Sequence, residues 1–214
     1  MLEWIKNHHT VLQITISFLT LGVWIFYAQI LLAQYRRTRR PKILINQTRG
    51  RTLHSRFLVS NMSLESVHIE VILVGLFGNE EQTWHKVSDW EPMSDDSQAD
   101  TNAYGTFQGP LAAGCSLDIG DIKRLITQRD TLVQTQTNAD NPGETGLVTE
   151  NGANCRSFEI MVMGVYSSEK GVIGASRTFD LDEHGHVYPR DAETGQCRSR
   201  SERQRMRELH RRHL

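Results

Sequence analysis

Two patterns of apolar and polar residues divide this chain. From Val11 to Ala33 apolar residues run on with no Asp, Glu, Lys, Arg or His among them. After Pro41 the apolar runs become short, several of them alternate with polar residues, and polar turns separate them.

The first pattern predicts one membrane-crossing helix. Twenty-three residues at about 1.5 Å each make roughly 35 Å of helix, enough to cross a ~30 Å hydrocarbon core with some tilt. Trp4 precedes the run and Tyr27 and Tyr35 lie toward its far end, where amphipathic rings favour the headgroup region. A cleaved leader would carry its positive charge before a shorter apolar stretch. Here Arg36, Arg37, Arg39, Arg40 and Lys42 follow it, so an anchor is the better reading. Those five residues are expected at the membrane surface, where they stop the span.

The second pattern predicts an all-β domain. Ile43 to Ile45, Phe57 to Asn61 and Val67 to Phe77 read as strands, the last with Val67, Ile69, Val71 and Leu73 on one face. Thr83 to Val87 is expected to pair back on it as a hairpin. Tyr104 to Gln108 and Cys115 to Ile119 are shorter candidates. In Ser157 to Tyr166 the residues Phe158, Ile160, Val162, Gly164 and Tyr166 alternate with the rest, and Val172 to Leu181 follows after a Lys170-Gly171 turn. One short helix is expected at Asp121 to Leu132, with Asp121 as its cap. Many short strands and few helices predict a β-sandwich of immunoglobulin-like (Ig-like) type. Ser88 to Asn102 and Thr127 to Asn154 are polar insertions whose composition suits mobile loops.

The expected organisation is a short N-terminal segment (1–10), the transmembrane helix (11–33), a basic juxtamembrane linker (34–42), the β-sandwich (43–190) and a basic tail (191–214), partly helical or disordered. Charge sharpens this division. The chain's net charge is only −1, yet Ile43 to Cys197 holds 11 Lys and Arg against 22 Asp and Glu, and Arg198 to Leu214 holds seven Arg against two Glu. The cluster from Arg36 to Lys42 outweighs Lys6 and Glu3 before the helix, which places the N-terminus outside and the C-terminal domain in the cytoplasm by the positive-inside rule. The layout resembles that of many bacterial membrane proteins, and a bacterial inner membrane is the expected location.

Candidate chemistry is sparse. Cys115, Cys155 and Cys197 are odd in number and form no C-x-x-C, which suits free thiols in a reducing compartment. In such a compartment the acceptor patterns at Asn46-Gln-Thr48 and Asn61-Met-Ser63 carry no glycan. Asp180, Asp182, Glu183, His184 and His186 form the densest set of potential metal ligands, but consecutive residues leaving a strand point in different directions, so Asp180, Asp182, His184 and His186 are only weak candidates. No phosphate-binding loop, dinucleotide fingerprint, nucleophile elbow or zinc-protease motif occurs. No cofactor and no catalytic activity are expected.

Within the apolar helix Thr15, Gly22 and Gln29 recur every seven residues, a stripe on which helices can pack closely in lipid. The arginines from Arg198 onward suit an anionic lipid surface or an acidic protein. Nucleic acid is disfavoured because no aromatic residues accompany them. The expected role is a membrane-tethered interaction or scaffold protein, whose partners are lipid, another membrane or cytoplasmic protein, and a second copy joined through the helix. An accessory subunit of a channel, transporter or secretion complex is the first alternative, and a metal-binding or enzymatic domain the second.

Overall fold

The computed structural model describes residues 8–38, 40–48, 50–52, 54–77, 82–88, 106–121, 134–137, 145–148, 154–169, 171–182 and 184–213. The chain divides into two units, Met1–Arg40 and Pro41–Leu214.

The first unit holds helix α1, His9–Thr38, 30 residues long. Its span His9–Tyr35 is long and apolar enough to cross a membrane, and none of it is buried within the protein. Apolar residues such as Ile14, Phe18, Trp24, Ile25 and Leu31 are exposed all round it. Thr15, Ser17 and Thr20 return their hydroxyl protons to the carbonyls of Val11, Gln13 and Ile16 at 2.8–2.9 Å, which satisfies those hydroxyls inside the helix. The helix runs past the expected end at Ala33, through Arg36 and Arg37. Pro41 disfavours helix in the residue before it.

The second unit is built mostly of β-sheet. One sheet consists of β1 (Ile43–Gln47), β2 (Arg56–Asn61) and β6 (Ser116–Asp121), antiparallel in that order. A larger antiparallel sheet runs in the order β12 (Val187–Pro189), β11 (Val172–Leu181), β10 (Ser157–Tyr166), β3 (Val67–Phe77), β4 (Gln82–Lys86). Beside it β5 (Gly109–Leu111) pairs with β3 and β13 (Gly195–Gln196) pairs with β11. A third, small sheet holds β7 (Gln134–Thr137), β8 (Thr145–Val148) and β9 (Asn154–Cys155), inside the stretch expected to be a mobile insertion. Helix α2, Arg200–His213, ends the chain. The helix expected at Asp121 to Leu132 lies, after Asp121, outside the described residues, as does most of the Ser88 to Asn102 loop. Asp121 itself ends β6, opposite Arg56. Of the strand expected at Tyr104 to Gln108, Tyr104 and Gly105 lie outside the described residues, Thr106 to Gln108 are not in a strand, and β5 begins at Gly109.

The two larger sheets bury one core between them. Ile43, Ile45, Phe57, Val59, Leu117 and Ile119 of the smaller sheet join Ile72, Val74, Phe158, Ile160, Val162 and Phe179 of the larger. Phe57 meets Phe158 and Phe179 edge-on at 5.7 and 5.0 Å between ring centres, and Phe158 stacks on Phe179 at 5.3 Å. Offset and edge-on pairs of this kind add to simple area burial.

Strand β3 departs from the expected alternation. Val67 and Ile69 face the core between the sheets, but Val71 and Leu73 face the other way, and Ile72, Val74 and Leu76 take over the inner face. The cause is a β-bulge: Met163 pairs with Val71 and Gly164 with Ile69, so Glu70 is an extra residue on β3. One extra residue reverses the face of everything after it. Gly164 permits the close approach, since a Cβ there would collide with the His68 carbonyl oxygen.

Candidate functional site

The reversal at Glu70 gives the larger sheet a second apolar face. Val71, Leu73, Met161 and Met163 form a cluster there with Met206 and Leu209 of α2, flanked by Trp84, Val172 and Cys197. Met206 and Leu209, within the expected basic tail, therefore pack on the sheet. Only two residues of α2 are buried, 1 % and 7 % exposed, and the sheet supplies the remaining apolar partners. Gly174 lies directly beneath Met206, where a Cβ would overlap the Met206 sulfur.

An ion pair and a hydrogen bond flank this contact. Glu159, on β10, has a side chain only 6 % exposed and accepts from Arg205 Nη2 at 2.8 Å. Arg205 also lies 5.3 Å over the Trp84 ring. Glu70, the bulged residue, meets His210 Nε2 at 2.8 Å. The start of α2 is closed by reciprocal hydrogen bonds. Glu202 Oε2 accepts from the Ser199 amide at 2.9 Å and the Arg198 amide at 3.1 Å, and the Glu202 amide donates to Ser199 Oγ at 3.2 Å. The Ser199 amide, then its hydroxyl, hold the Glu202 carboxyl below its ordinary value. Ser199-x-x-Glu202 is the sequence signature of this capping box, and the helix it opens, Arg200–His213, is the helical part of the expected basic tail. With Arg205, Met206, Leu209 and His210 engaged on the sheet, Arg200, Arg203, Arg207, Arg211 and Arg212 remain exposed. The basic tail thus becomes a basic surface on a fixed helix.

The four metal candidates lie at the end of β11, which holds Asp180, and in the turn after it, which holds Asp182, His184 and His186. Asp182 Oδ1 accepts from the amides of His184 and His186 at 3.0 and 2.7 Å, and Asp182 Oδ2 lies 3.0 Å from His186 Nδ1. Desolvation raises the Asp182 carboxyl, but the His186 amide, the His186 ring and the His184 amide together outweigh it and hold the group below its ordinary value. Asp180 faces away to Arg190, which binds it through both Nε and Nη2. Asp182 thus organises a turn and Asp180 an ion pair. Among the described residues no three His, Cys, Asp or Glu converge to hold a metal ion.

On α1, Thr15 and Gly22 line one shallow notch with Phe18, Leu19, Val23 and Phe26, whereas Gln29 lies beyond it. Apart from its chain neighbours and the helix's own backbone, no atom comes within 4 Å of the position a Gly22 Cβ would take, so no side chain fills the notch there. Of the surface cations expected near the span, Arg40 and Lys42 are exposed, and the side chains of Arg36, Arg37 and Arg39 lie outside the described residues.

All three cysteines are free. Cys115 is exposed, and Cys155 is buried and donates to the Ser157 carbonyl at 3.1 Å. Burial, then the carboxylates of Glu202 and Glu159, push the Cys197 thiol up to about 11. Asn61 is fully buried and uses its amide on the carbonyls of Glu65 and Leu111, both at 2.9 Å, so it is closed to glycosylation in the folded domain.

No protein-family model, curated protein or solved structure matches the chain.

Proposed function

We propose that this chain is a single-pass, membrane-anchored interaction or scaffold protein without catalytic activity, its N-terminus outside and its domain, an Ig-like sandwich in class, in the cytoplasm of a bacterial inner membrane. The observation that carries the reading is α1: a 30-residue helix, apolar on every side, joined to a second unit that has its own core. A helix of that kind has no place in water. The Arg36 to Lys42 cluster favours the inward orientation. The exposed arginines of α2 suit an acidic partner or anionic lipid.

The notch at Thr15 and Gly22 favours a second reading. In lipid, small residues let helices approach closely, so this face of α1 suits a second copy of the chain or the helix of a larger membrane complex. Affinity purification of the intact chain from membranes in mild detergent separates the two. A fixed, stoichiometric integral-membrane partner, lost on Gly22→Leu, supports the accessory-subunit reading. Recovery of soluble partners, insensitive to Gly22→Leu and lost on reversing the α2 arginines, supports the tethered interaction module. An intrinsic enzymatic activity or a stoichiometric metal in the purified chain would contradict both.

A further inference from the structure

We propose that the end of the β domain bearing Lys42 is a lipid-contact surface: Met62 and Leu64 insert at the boundary between headgroups and acyl chains, and Lys42, Arg198 and Arg203 meet anionic phospholipid headgroups. This deepens the anchored reading and rests on it.

Where β2 runs into the loop before β3, Asn61, the last residue of β2, and Ser63 are buried, 0 % and 6 % exposed, while Met62 and Leu64 are 57 % and 64 % exposed. Farther along, Glu65 is half-buried and Ser66 exposed. Single exposed apolar residues are ordinary, but these two are held outward by a framework. The Met62 amide donates to the Lys42 carbonyl at 2.8 Å, and the Lys42 amide donates to Ser63 Oγ at 2.9 Å. The Ser63 amide donates to Asn61 Oδ1 at 2.9 Å, and Ser168 Oγ donates to the Glu65 carboxylate at 2.6 and 2.9 Å. The loop is therefore locked to Lys42 and to the neighbouring β10–β11 turn, with its apolar side chains outward.

The occupant follows from the chain itself. Lys42 stands four residues after Thr38, the last residue of α1. Four residues of extended chain reach at most about 14 Å. Whatever attitude the domain adopts, a loop hydrogen-bonded to Lys42 stays within reach of the surface in which α1 ends. Two further cations are tied to the same stretch of chain: Pro41, the residue before Lys42, lines a narrow cleft with Arg198 and Arg203, and Glu169 is the acidic residue among its lining. Apolar prongs beside basic residues are the composition by which peripheral segments bind an anionic interface.

The test uses the full chain in vesicles of phosphatidylcholine with phosphatidylglycerol. A Cys115→Ser background leaves two hindered thiols, into which Leu64→Cys or, as a control at the opposite end of the sheets, His184→Cys is introduced and labelled with a polarity-sensitive fluorophore. Quenching by acrylamide is expected to be several-fold weaker at 64 than at 184, with blue-shifted emission. In phosphatidylcholine alone, and on Arg198→Glu with Arg203→Glu, at least half of that protection is expected to be lost. Equal quenching at 64 and 184 in vesicles overturns the proposal. Equal protection in both lipids overturns the role of the cations. Flotation of the same samples separates the two failures: a chain that floats with vesicles yet leaves position 64 open sinks only this inference, and one that does not float sinks the anchored reading with it.

Discussion

Glu159 and Arg205 face each other at 2.8 Å across the contact between sheet and helix, with Glu159 nearly closed to solvent and Arg205 half exposed. Removing the arginine leaves a carboxylate on a covered sheet face without its partner. Arg205→Ala is expected to cost about 1–3 kcal/mol, less than the ~3–5 kcal/mol of a fully enclosed pair because water reaches the guanidinium. Arg200→Ala, on the exposed side of α2, should stay within about 0.5 kcal/mol. Urea unfolding of the intact chain in mild detergent measures both. A double-mutant cycle with Glu159→Gln should return a favourable coupling, and additivity would mean that the pair contributes nothing.

The bulge at Glu70 is expected to depend on Gly164. Gly164→Ala would set a Cβ against the His68 carbonyl, which is backbone and has little room to shift. A loss of roughly 2–3 kcal/mol is expected from the overpacking. Gly174→Ala meets the flexible end of Met206 instead and should cost less. Equal losses at the two positions would remove the special status of Gly164.

The thiols should separate by reactivity. With Cys197 at about 11, roughly one thiol in a thousand is ionised at pH 8. A disulfide reagent should modify Cys115 within minutes at that pH and leave Cys155 and Cys197 to react only after denaturation. Cys197 should gain reactivity as pH rises toward its raised value, because thiolate is the attacking form. Rapid modification of all three in the native chain would contradict the packing of α2 against Cys197.

The long strands were legible because their apolar patterns are long. Val67–Phe77, Ser157–Tyr166 and Val172–Leu181 carry the expected bounds. The bulge was not, since Val67, Ile69, Val71 and Leu73 alternate perfectly in sequence and only pairing with β10 reveals the extra residue. The docking of α2 was hidden for a related reason. Two apolar residues make a poor stripe in isolation, and they suffice here because the bulge turns Val71 and Leu73 toward them. The closure of β1 also lies beyond local pattern. Gln196 and Thr194 bond the backbone of Ile43 and Ile45, and Arg177 reaches the Ile45 carbonyl, all across more than a hundred residues of chain. Met62 and Leu64 were passed over because an exposed pair in a loop has no periodic signature.

Fixed α2 changes what truncation should do. Ending the chain before Arg198 uncovers Val71, Leu73, Met161 and Met163. Such a fragment is expected to aggregate or lose much of its stability, and Leu209→Asp should act in the same direction by placing a carboxylate against that face. Size-exclusion chromatography of the intact and truncated chains reads the difference. An unaltered, monodisperse fragment would mean that α2 is dispensable to the domain.

The anchor is the claim on which the rest depends, and alkaline carbonate extraction of membranes from expressing cells, combined with protease protection of a C-terminal tag, tests it in one measurement. The account predicts that the chain stays in the membrane pellet and that the tag is digested in inside-out vesicles but protected in right-side-out spheroplasts. Release of the intact chain by carbonate, or protection in the inside-out vesicles with digestion in spheroplasts, would contradict it.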